Sequence, residues 1–233
     1  LNGDHLKQES TERGTKALIE SSSVIMGVLK EWSISLEEVA DYHLYPIADN
    51  DSPKLSADRL EYTLSNIVNY RIAPKEKVIE WYGHLVVGKN EDGEDELMFD
   101  DVKKAESFCL AALETSKIYV ADEDRFAMQT LSELLCKHIS RGVLGMDDLY
   151  KTESDVIALL HQDEKARKDW ERFRALHHIH KGDHAGAKVV VSKKRHINPY
   201  VMGMGRMTCL SEIFAQMLKP FLSQGLDEPL WGE

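Results

Sequence analysis

Between positions 55 and 66 the chain reads Leu-Ser-Ala-Asp-Arg-Leu-Glu-Tyr-Thr-Leu-Ser-Asn, and its apolar spacing limits what this stretch can become. Leu60 and Leu64, followed by Ile67 and Val68, recur at intervals of three or four. A helix turns about 100° per residue, so these side chains gather on one side as a buried stripe. Asp58, Tyr62 and Asn66 recur every fourth position and fall roughly opposite. A carboxylate, a phenol and an amide stacked over two turns offer a cation ligand at one end and hydrogen-bonding groups for a polar substrate along the rest. The same spacing also describes a helix face turned to water.

Helical periodicity dominates elsewhere. Residues 11–32 read as one helix with Ala17, Leu18, Ile25, Val28 and Leu29 on its buried side, although the hydroxyls of Ser21, Ser22 and Ser23 compete there for the backbone. Ser35 and Glu38 form a capping-box pattern that opens a short helix through Tyr42. Two prolines and an Asp-Asn-Asp cluster mark 45–53 as a loop, in which Asp49 and Asp51 are turn residues or neighbours of a cation. Pro74 suits the first turn of a helix over 75–86, and the charged, glycine-bearing 88–95 reads as an exposed connector.

Further helices are predicted over 102–113, 124–139 and, after a cap at Thr152, through Val156 to Leu160. His138 falls on an apolar face and reads as a satisfied or half-buried histidine rather than a ligand. A charged helix is predicted over 163–176, a strand over 188–192, and a last helix over 209–222 that Pro220 helps to end. The sum is a mostly α protein, with a helical domain over 1–150 and a small C-terminal helical and α+β extension over 151–233.

A chain of 233 residues, 42% apolar and 30% charged, is neither membrane-spanning nor compositionally disordered. Its net charge of −11 opposes attraction to a phosphate backbone, which argues against a nucleic-acid partner. Cys109, Cys136 and Cys209 are odd in number and far apart, so they suit a reducing cytoplasm rather than a disulfide framework.

The run Ser56-Ala57-Asp58-Arg59-Leu60-Glu61-Tyr62 resembles the Asp-Arg-Leu-Asp-Tyr signature of the His-Asp (HD) superfamily of metal-dependent phosphohydrolases. It is nearest the branch of deoxynucleoside triphosphate triphosphohydrolases. The resemblance extends diffusely from Lys7-Gln8-Glu9-Ser10 to Arg195-His196-Ile197-Asn198-Pro199, and implies an HD-type helical bundle.

It further implies that Asp58 is both catalytic and a ligand of a divalent ion, with Fe, Mn, Ni, Zn, Co or Mg as candidates. Such an ion acidifies its bound water and neutralises phosphate charge. Arg59 stands where the family contacts substrate phosphates, and Tyr62, Asn66 and Tyr119 stand at substrate-side positions. The implied substrate is a phosphate ester, in the first instance a nucleotide, and related enzymes often assemble into homo-oligomers.

The sequence departs from the pattern in places. Asn66 replaces a customary aspartate, and Ala121 and Asp122 replace basic residues after Tyr119. Gln8 replaces the histidine of a His-Glu pair and cannot shuttle a proton as imidazole does. The chain holds no His-Asp dipeptide, and only His5 and His43 precede Asp58. Because the chain starts at Leu1, the expectation is that the missing ligands lie on upstream helices outside it. The alternative is a relative that has lost the site, a noncatalytic nucleotide-sensing or scaffold protein.

Three other features invite a role. His177, His178, His180 and His184 cluster where a helix is expected to end; a metal could use two or three of them, but with only Asp183 as a companion carboxylate the cluster reads first as imidazole favoured by the helix end. Lys193-Lys194-Arg195 is basic enough for a phosphorylated effector or an acidic surface, and equally suits a strand end that discourages edge pairing. Met202-Gly203-Met204-Gly205 reads as a turn.

Overall fold

A computed structural model describes residues 14–41 and 44–233. In chain order it places α1 (Thr15–Ser21), α2 (Ser23–Glu31), α3 (Leu36–Ala40), α4 (Ala57–Asn69), α5 (Lys75–Tyr82), β1 (Leu85–Lys89) and β2 (Asp95–Phe99). Next come α6 (Val102–Ile118), α7 (Asp122–Ser140), α8 (Glu153–Gln162), α9 (Glu164–Arg174) and β3 (Ile179–Lys181). The chain ends with β4 (Tyr200–Val201), β5 (Gly205–Arg206), α10 (Met207–Leu210), α11 (Glu212–Ser223) and β6 (Leu230–Gly232). Two compact units result: the described residues up to Ile118 with Lys193–Gln224, and Tyr119–Ser192 with Gly225–Glu233.

The expectation of a mostly α bundle is corrected, because each unit contains a sheet and the fold is mixed α/β. In the first unit the order is β1-β2-β4-β5, with β1 antiparallel to β2, and β2 parallel to β4 at Phe99 and Val201. Its β1–β2 hairpin begins in the stretch predicted to be the end of a helix and an exposed connector. The hairpin turn is built by Asn90, whose amide N–H donates to Glu94 O at 2.9 Å while its Oδ1 accepts from the amides of Asp92 and Glu94. Gly93 completes the turn at φ +77°, a conformation that costs glycine nothing.

Packing in this unit centres on α6, against which α4, α10 and α11 lie. Ala105, Ala111 and Ala112 are buried on α6, and their small side chains let the neighbouring backbones approach. Trp81, Phe99 and Phe108 fill the adjoining space, with Phe99 and Phe108 ring centroids 5.3 Å apart. The predicted single helix over 11–32 is broken: Ser22 is extended and its hydroxyl accepts from the Ile25 amide at 3.3 Å, capping α2. Of its predicted buried side only Leu29 is buried, while Leu18, Ile25 and Val28 are exposed. The capping box before α3 is present, with the Ser35 amide donating to Glu38 at 2.7 Å.

The second unit packs α9 against α7 and α8 around Leu134, Leu144, Leu160 and Ala166. Its two-stranded sheet pairs β3 with β6, antiparallel. Residues 188–192 do not form the predicted strand, since only Lys188 makes a bridge, to Leu230.

The α9 cap carries a pH prediction. The Arg141 guanidinium, aided by the Ala166 amide, pulls the Asp163 carboxyl down to about 2. A depressed carboxyl stabilises the folded state above its ordinary pKa near 3.8, and that contribution is lost as pH falls through about 2. An NMR titration should therefore find the Ala166 amide signal unmoved at pH 4 and shifting only as pH approaches 2.

Candidate functional site

The start of α4 is fixed before any chemistry is asked of it. The first amides of a helix have no partner inside it, and here the loop before the helix supplies them. Ala57 N donates to Ile47 O at 2.8 Å and Asp58 N to Ala48 O at 3.0 Å, while the Ser56 hydroxyl accepts from Arg59 N at 3.2 Å. These amides are spent, so this helix end has none left to receive a phosphate in the usual way.

Arg59 binds the same loop from inside. Its side chain is buried, and Nη1 donates to Asn50 Oδ1 at 2.9 Å and Lys54 O at 2.6 Å. Nη2 donates to Asn50 O at 2.7 Å and stands 3.6 Å from Asp49 Oδ1. Asn50 in turn donates to Pro46 O and Leu55 O, both at 2.9 Å. The side chain expected on substrate phosphates faces the loop, which is wound around its guanidinium. Asp49 thus does sit beside a cation, one the chain itself provides.

Asp58 is exposed in the first turn of α4, and Tyr62 and Asn66 are half-buried one and two turns further on. The structure brings these three to one face, as their spacing predicts. Tyr119 lies in the second unit, in the turn that follows α6, and is half-buried. A cleft of about 610 Å³ adjoins a different face of α4, where Leu60, Leu64, Leu85 and Leu97 line it and none of Asp58, Tyr62 or Asn66 does.

Asp58 presents one exposed carboxylate at the start of α4. Among the described residues, no group of three or more His, Cys, Asp and Glu side chains is arranged to hold an ion. His5, His43 and the Lys7–Ser10 segment lie outside the described residues. Two of the C-terminal histidines are stacked, His180 and His184 on Trp231 with centroids 4.3 and 4.0 Å away, and the backbone amide of His177 donates to Glu233 O at 2.9 Å.

In the basic stretch, Lys194 Nζ donates to Leu222 O at 2.8 Å, which places its charge on the carbonyl end of α11. Met202–Gly205 forms the β4–β5 turn, as its glycines suggest. Among the described residues, no helix is long and apolar enough to cross a membrane.

Comparison with known proteins adds one relation. The chain is 25% identical over 163 residues to the uncharacterized protein YdhJ of Bacillus subtilis (strain 168), a stretch amounting to 69% of this chain and 47% of that protein. The chain spans about half the length of the curated relative it matches. No family model and no solved structure matches it.

Proposed function

We propose that the chain contributes Asp58 to a metal-dependent phosphohydrolase of the His-Asp type, acting on a phosphate ester and in the first instance on a nucleotide. The observation that carries this reading is an exposed carboxylate at a helix start whose backbone is pinned by the loop before it, on the stretch that resembles the family signature. Asp58 would be one ligand of the ion, with the remainder supplied from outside the described residues. When bound, such an ion supplies an acidified water and charge neutralisation.

The chain's own residues have simpler tasks. Tyr62 and Asn66 share the face of Asp58 and offer a ring and an amide to the substrate's sugar or base. Arg59 is a positioning residue that holds the 45–56 loop and, through it, the first turn of α4.

The test is turnover by the complete protein, offered nucleoside triphosphates, deoxynucleoside triphosphates and a simple phosphate monoester. Asp58→Ala should lower turnover by more than about 100-fold, the upper end of what even outer-shell changes around a metal produce. Retained turnover would defeat the assignment. The inward guanidinium of Arg59 favours a second reading, a noncatalytic nucleotide sensor or scaffold, which predicts nucleotide binding by the wild type with no turnover at all.

A further inference from the structure

In the second unit, α7 and α9 enclose a cleft of about 340 Å³. Its apolar wall is made by Phe126 and Leu134 from α7 and by Phe173 and Leu176 at and beyond the end of α9. The polar groups come from the same helix faces: Lys137 lies three residues after Leu134, and Asp169 and Arg172 precede Phe173. Cavities of this size that pair an apolar wall with a few charged groups are the ordinary form of a small-molecule site.

The charged side of the cleft is built on a buried network. His138 is fully buried, and the guanidinium of Arg141, which can only donate, gives a hydrogen bond to its Nδ1 at 3.0 Å. The ring proton therefore sits on Nε2 and is donated to Asp169 Oδ2, also at 3.0 Å. That same oxygen receives Lys137 Nζ at 2.5 Å. Burial works against the charge of Asp169, but Lys137 and His138 outweigh it and keep the carboxyl below its ordinary range. His138 thus orients Asp169, and Asp169 in turn fixes the Lys137 ammonium at the cleft wall.

The Arg172 side chain differs from its neighbours in having no hydrogen bond or ion pair among the described residues. Glu133, the other carboxylate of the cleft, is engaged by Lys188 at 2.5 Å, so both acids already have cations. The charge left unanswered is the guanidinium of Arg172.

We propose that this cleft binds a small monocarboxylate with an aromatic or branched apolar body, its carboxylate on Arg172 beside Lys137 and its body against Phe126, Phe173 and Leu176. A guanidinium and a carboxylate match in forked geometry, and the apolar wall accounts for the body. The site is independent of Asp58, because every residue that forms it belongs to the second unit.

Amide NMR shifts of the whole chain, titrated with phenylacetate at constant ionic strength, test this. Acetate, phenylacetamide and phenethylamine serve as controls. Phenylacetate should give saturable shifts in α7 and α9, and each control should bind at least about tenfold more weakly, since a charge-assisted hydrogen bond and a buried ring each account for about that factor. Arg172→Gln, an exposed change that leaves the packing intact, should weaken phenylacetate by about tenfold. No saturable shift in α7 and α9, equal binding of phenylacetamide or acetate, or undiminished binding by Arg172→Gln would each overturn the proposal.

Discussion

Arg206→Met is expected to destabilise the first unit by about 3–5 kcal/mol, the range for breaking a buried ion pair from one side. Glu96, on β2, is 1% exposed and both its oxygens are held by Arg206: Nη2 donates to Oε2 at 2.7 Å and Nη1 to Oε1. Asn90 adds a hydrogen bond to Glu96 at 2.9 Å, and Nε of Arg206 reaches Glu91 at 2.7 Å. Removing the guanidinium leaves a carboxylate inside the sheet with only an amide for company. Burial opposes the charge of Arg206 as well, but its hydrogen bonds to Glu96 and Glu91 outweigh that and raise its pKa.

Urea melts of three variants separate the causes. The single change Arg206→Met should lower the midpoint strongly, and adding Glu96→Leu should restore most of it, because well-packed apolar residues often replace a buried pair without loss. A double variant as unstable as the single one would mean that the strand pairing itself needs the ions. The pH dependence follows the same logic. Arg206 holds the Glu91 carboxyl below its usual range, so that contribution is present above the ordinary carboxylate pKa and is lost as pH falls through the depressed one. In Arg206→Met most of this acid-side loss should disappear, since Arg206 is the largest cause of the depression.

Arg59→Ala is the second large effect, expected at about 3 kcal/mol. It strips partners from Asn50 O and Lys54 O in a half-buried loop, where each orphaned carbonyl costs toward the low end of about 1–3 kcal/mol. Arg59→Lys keeps the charge but not the fork, and should recover less than half of the loss. In the complete protein, Arg59→Ala should lower turnover through a displaced Asp58 together with a lower melting temperature. A variant of unchanged stability with a raised KM would instead assign Arg59 to the substrate.

These two arginines show what was legible in the chain and what was not. The α4 helix, its buried Leu60 and Ile67 and its polar face follow from a period of 3.6, which a local window displays. The caps at Ser35 and Thr152 are equally local, since each side chain answers an amide three residues on. Arg59 resembles a phosphate contact, because nothing nearby in the sequence reveals that Asn50, Lys54 and Asp49 will turn inward to meet its guanidinium.

The β1–β2 hairpin was hidden for a related reason. Ile79, Trp81, Tyr82, Leu85 and Val86 continue a helical rhythm across the true end of α5, and Glu96 looks like a surface charge until Arg206, 110 residues later, pairs with it. The reverse holds at 188–192, where Val189 and Val191 alternate with buried Val190 as a strand would. Alternation sets the faces but cannot supply a neighbouring strand to bond with. The His138–Asp169 pair joins residues 31 apart and gave no local signal beyond a histidine on an apolar face.

The central claim is that Asp58 is a metal ligand, and metal content tests it without depending on the choice of substrate. The complete protein and its Asp58→Asn variant, purified without chelator, should be compared by elemental analysis. The account predicts near-stoichiometric divalent transition metal in the wild type and a loss of most of it in Asp58→Asn. Equal metal in both proteins, or none in the wild type after incubation with excess iron, manganese, nickel, zinc or cobalt, would contradict it.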